Sequence, residues 1–210
     1  MVFRTRPPVK QEAIRNTLRM QIVRGELKPG DRLPSRSELE AHFAASSVTV
    51  QRAFDQLLED GFVIARGRLG TFVTQRPPHL HNFGLVFGQW SGGHTWGRFH
   101  TALVEAAQRI ESRGEVKVSV YTGVSEEFDT DSSHRLAEDL QCMRLAGLIF
   151  IGRAIAPMLL KHAKTPKHFP AVALMSPPLV EGLPAVDLGS ADGFIVRATD
   201  YLIQHGRRKI

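Results

Sequence analysis

The sequence predicts two unlike parts, an α+β head of helices and a β-hairpin followed by an α/β domain built on a mainly parallel sheet. Apolar residues recur with a helical period as far as Leu58, and two short β-rich runs follow them. Prolines and histidines then interrupt the pattern, and from Phe83 onward apolar strands alternate with amphipathic helices. We therefore predict a head at residues 1–75, a linker at 76–82 and an α/β domain at 83–210.

The positive charge of the chain is concentrated in the head. Residues 1–78 contain 13 Lys and Arg against 8 Asp and Glu, whereas the remaining residues contain 14 against 13. Such an asymmetry favours attraction of the head to phosphates. The sequence has no apolar run of about 18 residues that would predict a membrane span. The single cysteine, Cys142, excludes an internal disulfide framework and favours a cytoplasmic location.

The first two helices of the head are predicted from spacing and caps. Ile14, Leu18 and Ile22 recur every four residues, and a Gly- and Pro-containing segment ends that helix. Ser35 and Glu38 have the spacing of a capping box, which predicts that the second helix begins there.

The third helix and the hairpin follow directly. Ser46 is a candidate N-cap for a helix whose apolar residues lie on one face. These residues are Val50, Ala53, Phe54, Leu57 and Leu58. Gly61 is predicted to end the helix, and the runs Phe62–Ala65 and Thr71–Val73 predict a hairpin around a Gly-containing turn.

A helix, a turn, a second helix and a two-stranded wing are typical of a module that binds duplex DNA. The major groove admits a helix whose first turns meet base edges. Arg52 is predicted to pair with guanine, Gln51 with adenine, and Arg36 with a backbone phosphate. Ser46 has the alternative role of a cap alone. The candidate DNA contacts are Arg36, Ser46, Ser47, Thr49, Gln51, Arg52, Arg66, Gly67, Arg68 and Gly70.

Residues about 10–75 resemble the winged helix-turn-helix domain of the GntR family of bacterial transcription regulators. The resemblance depends on the segments Ile22–Ser35 and Thr49–Ala53, and on Asp60–Gly61 together with Gly67–Val73. The chain departs from the family pattern at Arg36–Ser37, at Ala45–Ser46–Ser47 and at Gln51. Two arginines that are common in the family are thereby replaced by Ser47 and Gln51.

The second part is predicted as repeated β-α units, which imply a mainly parallel sheet covered by helices on both faces. The predicted strands are 83–87, 116–120, 148–151 and 171–175, and the predicted helices contain Phe99 to Ile110, Leu136 to Met143, Met158–Ala163 and Phe194 to Leu202. His205–Gly206 is predicted to close the last helix. Because Arg207–Ile210 resembles entry into a further strand, we expect that the sequence is cut inside a larger domain.

This second part resembles the effector domain of LacI/GalR-type regulators, which has a periplasmic-binding-protein-like fold. The resemblance is carried by Gly84–Phe87, Trp96–Phe99, Leu145–Ile151 and the segments from Ala185 to Ile210. It implies the N-terminal subdomain of that fold, incomplete, with a small-molecule effector such as a sugar. Gly189–Ser190 stands where the family often has an Asp-Asn pair.

Ligands of such folds lie beyond the carboxyl ends of the strands. The candidate effector contacts are Gln89, Trp90, Ser91, Trp96, Phe99, Gly123 or Ser125, and Arg153. The two tryptophans have the alternative role of hydrophobic plugs or interface residues. The helical stripe Phe99, Leu103, Ala106 and Ile110 is predicted either to pack on the sheet or to pair with a second protomer, and the resemblance favours a homodimer.

The predicted function is a cytoplasmic, sequence-specific DNA-binding transcription regulator, an effector-responsive repressor that binds its operator as a homodimer. No cofactor or metal is predicted: Gly88–Gly93 lacks the spacing of a phosphate loop, and no histidine pair has a familiar zinc spacing. One alternative is an enzyme whose α/β domain binds a nucleotide or sugar phosphate, fused to a DNA-binding head. Another is an architectural nucleic-acid binder without sequence preference.

Overall fold

The computed structural model describes residues 10–88, 91, 93–94, 96–124, 130–151, 169–175, 183–187 and 191–205. The chain divides into two compact units, one ending at His81 and the other beginning at Asn82. We call them the head and the α/β region. In this described part, none of the helices combines the length and the apolar character needed to cross a membrane.

The head is built on three helices, α1 (Lys10–Val23), α2 (Arg36–Phe43) and α3 (Ser47–Glu59). Apolar residues of all three close one core, in which α1 contributes Ile14, Leu18 and Ile22 as the spacing predicted. The α3 residues Val50, Ala53, Phe54 and Leu57 are buried in the same core. Burial of these side chains is the main source of stability for helices this short.

Local hydrogen bonds set where α2 and α3 begin. Ser35 accepts a hydrogen bond from the Glu38 backbone N–H, and the Glu38 carboxylate accepts one from the Ser35 backbone N–H at 2.7 Å. This confirms the predicted capping box. Between the helices, Ala44 adopts a left-handed conformation with φ of 45°, which turns the chain toward Ser46.

The hairpin follows α3 and closes the head. Strands β1 (Val63–Ala65) and β2 (Thr71–Val73) pair antiparallel, and a turn of 3-10 helix at Gly67–Leu69 joins them. The turn of the wing is therefore helical, a detail that the sequence prediction did not include. A third segment joins the hairpin, because Arg32 forms a backbone bridge with Phe72.

A buried ion pair ties α1 to the end of α3. Arg19 and Asp60 lie 2.6 Å apart, with side chains only 4% and 10% exposed. The Arg19 guanidinium also lies 5.6 Å from the centre of the Phe62 ring. A pair this deeply buried fixes the two elements to one another, because loss of either partner would leave a charge without compensation.

The segment predicted as a linker is partly helical. Pro78–His81 forms a short helix, α4, and Pro77 is buried. The imidazole of His79 stacks on Phe62 with ring centres 5.8 Å apart. Because this stacking attaches α4 to the head, residues 78–81 are not a free linker, and the following strand begins at Asn82.

The α/β region contains a five-stranded sheet in which every neighbouring pair is parallel. Its strands are β3 (Asn82–Phe87), β4 (Lys117–Tyr121), β5 (Gly147–Ile151), β6 (Ala171–Met175) and β7 (Ala185–Asp187), and its described helices are α5 (Arg98–Ser112), α6 (Asp131–Gln141) and α7 (Ala191–Gln204). The strand order is β4-β3-β5-β6-β7. The order reverses direction at β3, which is the feature of a doubly wound sheet.

Two clusters of buried residues lie against this sheet, one containing Tyr121, Leu136 and Phe150 and the other containing Phe87 and Ala107. The predicted parallel sheet is present. Strand β7 was not predicted as a strand, since its three residues are too few to show a period.

One detail of the predicted helices is wrong, and two further predicted segments lie outside the described residues. Helix α6 ends at Gln141, and Met143 lies beyond it with φ of 54°. In the stripe predicted either to pack on the sheet or to pair with a second protomer, Leu103 packs against the sheet together with Val104 and Ala107, whereas Phe99 and Ile110 are exposed. The predicted helix at 158–163 and the predicted strand entry at 207–210 fall outside the described part of the chain.

Candidate nucleic-acid interface

The N-terminal turn of α3 is organised by its cap. Ser46 Oγ accepts a hydrogen bond from the Thr49 backbone N–H at 3.3 Å and lies 2.8 Å from Thr49 Oγ1. The predicted N-cap is confirmed. Because the two hydroxyl groups are bonded to each other, one proton at most remains for a partner outside the head.

The outward face of α3 begins directly beside this cap. Its exposed residues are Ser47, Val48, Arg52, Asp55 and Glu59. They lie opposite the buried Val50, Ala53, Phe54 and Leu57, as a helix with one apolar stripe requires. Within the described residues, Arg52 forms no ion pair, so its guanidinium keeps all its donors for an external acceptor.

Gln51 is less free than the sequence suggested. Its amide nitrogen donates to Asp55 Oδ1 at 2.6 Å, and its Oε1 is buried without a hydrogen-bond partner among the described residues. A bidentate contact with adenine needs both ends of the amide. Gln51 must therefore leave Asp55 before it can make the predicted contact, and sequence reasoning missed Asp55 as its neighbour.

The wing presents an exposed basic tip. Gly67 has φ of 54° and Gly70 has φ of 107°, conformations that glycine adopts without strain. The Arg66 guanidinium lies 4.9 Å from the centre of the Phe72 ring, whereas Arg68 and Leu69 at the tip are exposed. The turn thus holds two of the predicted basic contacts at the surface.

Arg32 is a basic residue of this surface that the sequence prediction omitted. The backbone N–H of Leu33 next to it donates to Thr71 at 2.9 Å, so Arg32 runs beside β2. A Cβ atom on Gly70 would lie 2.9 Å from Arg32 Nε. The Arg32 side chain therefore packs directly on the wing glycine, and the φ of 107° at Gly70 would strain any residue that carries a side chain.

A cleft of about 530 Å³ separates the wing from the start of α2. Its polar lining includes Arg32, Ser35, Arg36, Ser37, Gly67 and Gly70. Three predicted contacts, Arg36, Gly67 and Gly70, are thereby brought together. Two guanidinium groups beside a helix N-terminus form an environment suited to a phosphate.

The carboxylate of the capping box is held in its charged form. The backbone N–H and hydroxyl of Ser35, both donating to Glu38, lower the pKa of the Glu38 carboxyl, and Arg32 lowers it further. The capping bonds thus keep Glu38 as an acceptor for the helix end.

The candidate effector contacts are only partly within the described residues. Gln89, Trp90, Ser125 and Arg153 fall outside them, whereas Ser91, Trp96, Phe99 and Gly123 are described. Ser91 is exposed, Gly123 is buried and Phe99 is 44% exposed.

Trp96 packs among aromatic rings just beyond the carboxyl end of β3. Its ring centre lies 4.9 Å from that of Phe87 and 5.1 Å from that of His100, and its Nε1 donates to Thr101 at 3.2 Å. His100 Nδ1 in turn accepts from the Gly97 N–H. Trp96 is thus half-buried and packs against an apolar cluster. In the described part of the chain, no three His, Cys, Asp or Glu side chains are grouped so as to hold a metal ion.

The head matches a known family. Residues 10–73 match the model of the family described as bacterial regulatory proteins, gntR family. The head is therefore a GntR-type winged helix-turn-helix domain, followed by an α/β region.

Curated relatives share the same part of the chain. The mannosyl-D-glycerate transport/metabolism system repressor MngR of Escherichia coli is 45% identical over 73 residues, which are 35% of this chain and 30% of MngR. The regulator TauR of Rhodobacter capsulatus is 38% identical over 68 residues, 32% of this chain and 14% of TauR. The histidine utilization repressor of Klebsiella aerogenes is 33% identical over 72 residues, 34% of this chain and 30% of that repressor. The chain thus spans less than a third of the length of each of these relatives.

Among solved structures, YtrA from Sulfolobus acidocaldarius, a GntR-family transcription factor, matches at 23% identity and a TM-score of 0.31. That match covers 54% of this chain and 82% of YtrA. A GntR family transcriptional regulator from Listeria monocytogenes matches at 18% identity and a TM-score of 0.33, covering 52% of this chain and 79% of the other.

Proposed function

We propose that this chain is a cytoplasmic, sequence-specific DNA-binding transcription regulator, an effector-responsive repressor that binds its operator as a homodimer. The observation that carries the proposal is the surface of the head, where the exposed edge of α3 lies on the same unit as a cleft lined by Arg32 and Arg36. A helix edge of this kind suits the major groove, and the arginines suit the flanking phosphates. Relatives of the head are named as regulators and repressors, which favours a regulator over an enzyme.

The position of each side chain in this interface indicates whether it contacts a base or a phosphate. Arg52, which is exposed on α3, pairs with a guanine, and Ser47 contacts a base or a phosphate beside it. Arg36 and Arg32 contact the backbone from the cleft, and Arg68 contacts it from the wing. Gln51 reads an adenine only when it exchanges Asp55 for the base.

The α/β region is proposed as the effector domain, the N-terminal subdomain of a LacI/GalR-like fold. The strand order β4-β3-β5-β6-β7 supports this, because ligands of doubly wound sheets lie at the carboxyl ends of strands where the order reverses. That position lies between β3 and β5, which end at Phe87 and Ile151. Trp96 lies against Phe87 there, and an aromatic ring suits the face of a sugar.

Binding of the effector changes operator affinity through a difference in its affinity for two states of the dimer. Homodimerisation suits an operator with two-fold symmetry and half-sites separated by whole turns of duplex. The exposed flank of α5, with Phe99 and Ile110, is the candidate dimer surface.

The test is selection of genomic fragments by the full chain, followed by competition between the selected duplex and bulk DNA at one fixed salt concentration. A regulator should prefer the selected duplex by about 10³-fold or more. Equal affinity for both would indicate an architectural binder and would overturn the proposal. The genes beside the selected fragments supply effector candidates, and release of the duplex by one of them would support the role of the α/β region.

A further inference from the structure

One exposed residue on α3 has no polar group at all. Val48 is 60% exposed, and it lies on the first turn of the helix, next to the cap formed by Ser46 and Thr49. Most singly exposed apolar residues need no explanation. Val48 differs because it lies on the face of α3 that carries Arg52, four residues further along and on the same side of the helix.

Neither helix stability nor core packing accounts for valine at this position. A β-branched residue lowers helix propensity, so valine does not favour the helix here. It does not fill the core either, since the buried α3 side chains are those of Val50, Ala53, Phe54 and Leu57. What valine supplies is a rigid pair of methyl groups at the surface.

The major groove offers one partner for such methyl groups. Among the base edges exposed there, donors and acceptors predominate, and the apolar group is the 5-methyl of thymine. Ser46 and Thr49 are bonded to each other in the cap, whereas Ser47 is exposed and suits a base or a phosphate. The methyl groups of Val48 add an exposed apolar surface beside these polar groups, and an apolar contact is the interaction open to them.

We propose that Val48 is a specificity-determining residue that contacts the 5-methyl group of one thymine in each half-site. The proposal depends on the proposed function, because it requires α3 to enter the major groove. Neighbouring residues four apart on a helix lie about 5–6 Å from one another, and base pairs rise by about 3.4 Å. The thymine therefore lies within about two base pairs of the guanine paired with Arg52.

The experiment replaces thymine by deoxyuridine, which removes this methyl group and keeps every hydrogen-bonding atom. The full chain is titrated with the selected duplex and with a series of duplexes carrying one such replacement each. At one position in each half-site the affinity should fall about fourfold, the loss expected for about 0.8 kcal/mol per buried methyl group. All other replacements should leave the affinity within about 1.5-fold.

The variant Val48→Ala identifies the side chain responsible. It should bind the unmodified duplex about 16-fold more weakly, because both protomers lose a contact worth about fourfold, and it should no longer distinguish thymine from uracil at either position. Val186→Ala is the matched control, because Val186 is 56% exposed and lies in the α/β region. It should keep both the affinity and the thymine preference. Circular dichroism of both variants checks that the fold is retained.

The outcomes separate this inference from the proposed function. A preferred duplex without any methyl-sensitive position, or a thymine preference that Val48→Ala retains, would overturn the role of Val48 and leave the regulator intact. The absence of any preferred duplex would overturn both. A thymine preference that disappears only with Val48→Ala supports the inference.

Discussion

The head and the α/β region place their candidate functional groups in different ways. In the head, the side chains of the interface are held by hydrogen bonds that span three or four residues, as between Ser46 and Thr49 or between Gln51 and Asp55. In the α/β region, the candidate edge exists only because β3 and β5 pair in parallel, which brings Phe87 beside Ile151 from a distant part of the sequence.

This difference indicates that a short stretch of sequence is enough to determine the surface of the head, but not the candidate site at the sheet edge. A capped helix carries its functional edge wherever it is placed, whereas a site at a sheet edge requires the complete sheet. We therefore expect each unit to respond separately to substitutions in its own core. Both tryptophans and both tyrosines lie beyond residue 81, so intrinsic fluorescence follows the α/β region alone.

The largest effect is expected from Asp60→Ala, which leaves the buried Arg19 guanidinium without its carboxylate partner. Removal of one member of a buried pair costs about 3–5 kcal/mol. Peptides from α1 and α3 should lose protection from hydrogen exchange and DNA binding should fail, while the fluorescence unfolding midpoint stays unchanged. If the fluorescence unfolding midpoint falls together with the protection of the head, the two units unfold together, and the expected independence of the head and the α/β region is contradicted.

A second substitution tests whether the unpaired charge of Arg19, rather than the lost volume of the Asp60 side chain, destabilises the head. Adding Arg19→Met to Asp60→Ala removes the uncompensated cation and should restore part of the lost protection. If the double variant is as unstable as the single one, the unpaired charge is not the reason.

The next largest effect is expected from Gly84→Ala in β3, which should destabilise the α/β region and leave the head intact. A Cβ at this position would lie 2.5 Å from a Leu148 methyl and 3.2 Å from the Tyr121 ring. Overpacking of this kind costs about 1–3 kcal/mol, so the fluorescence unfolding midpoint should fall while binding to the selected duplex is retained. Gly97→Ala is the control, since a Cβ there meets no atom within 4 Å. An equal shift with Gly97→Ala would contradict the packing explanation.

The head could be predicted from sequence almost element by element, because its signals are short-range. The capping box of Ser35 and Glu38, the cap at Ser46 and the apolar stripe of α3 are all visible within a few residues. Arg32 could not be assigned in this way. Its place depends on the bridge to Phe72 and on the close approach to Gly70, which only the folded hairpin creates.

The α/β region was predicted as a class but not in its packing. Alternating strands and helices identify a parallel sheet, yet they do not say which flank of α5 faces it. The structure turns Leu103 and Ala107 inward and leaves Phe99 exposed, because the sheet surface decides the rotation of the helix. The short helix at 78–81 was not predicted for a similar reason, since stacking of His79 on Phe62 is a contact between elements distant in sequence.

Arg52→Ala tests the DNA-binding surface of the head directly. The substitution should have little effect on folding, because the Arg52 side chain is exposed. Loss of one good base contact should lower discrimination between the selected duplex and one changed at the paired guanine by about 1–3 kcal/mol. Arg109→Ala is the matched control, because Arg109 is 67% exposed on α5 in the other unit. Equal weakening by Arg52→Ala on every sequence, with a shallower salt dependence, would instead assign Arg52 to a phosphate.

The smallest effect concerns the histidine that attaches α4 to the head. Burial, with His81 as a second cause, lowers the pKa of His79 below its ordinary value of about 6.5. The unfolded chain therefore binds more protons than the folded head between these two values, and the stability of the head rises with pH. That stability is fully present above about pH 6.5 and is lost as the pH falls toward the lowered pKa of His79.

This loss of head stability is measured by denaturant unfolding at pH 7.5 and at pH 5.5, with hydrogen exchange of peptides from the head as the probe. His79→Gln, which has no titratable group, should reduce the difference between the two pH values, whereas His134→Gln, exposed on α6, should keep it. The fluorescence midpoint of the α/β region should show the same pH dependence in wild type and in His79→Gln. A head whose pH dependence is unchanged by His79→Gln would mean that the imidazole stacked on Phe62 has no part in the proton linkage, and that α4 is attached to the head by Pro77 and its neighbours alone.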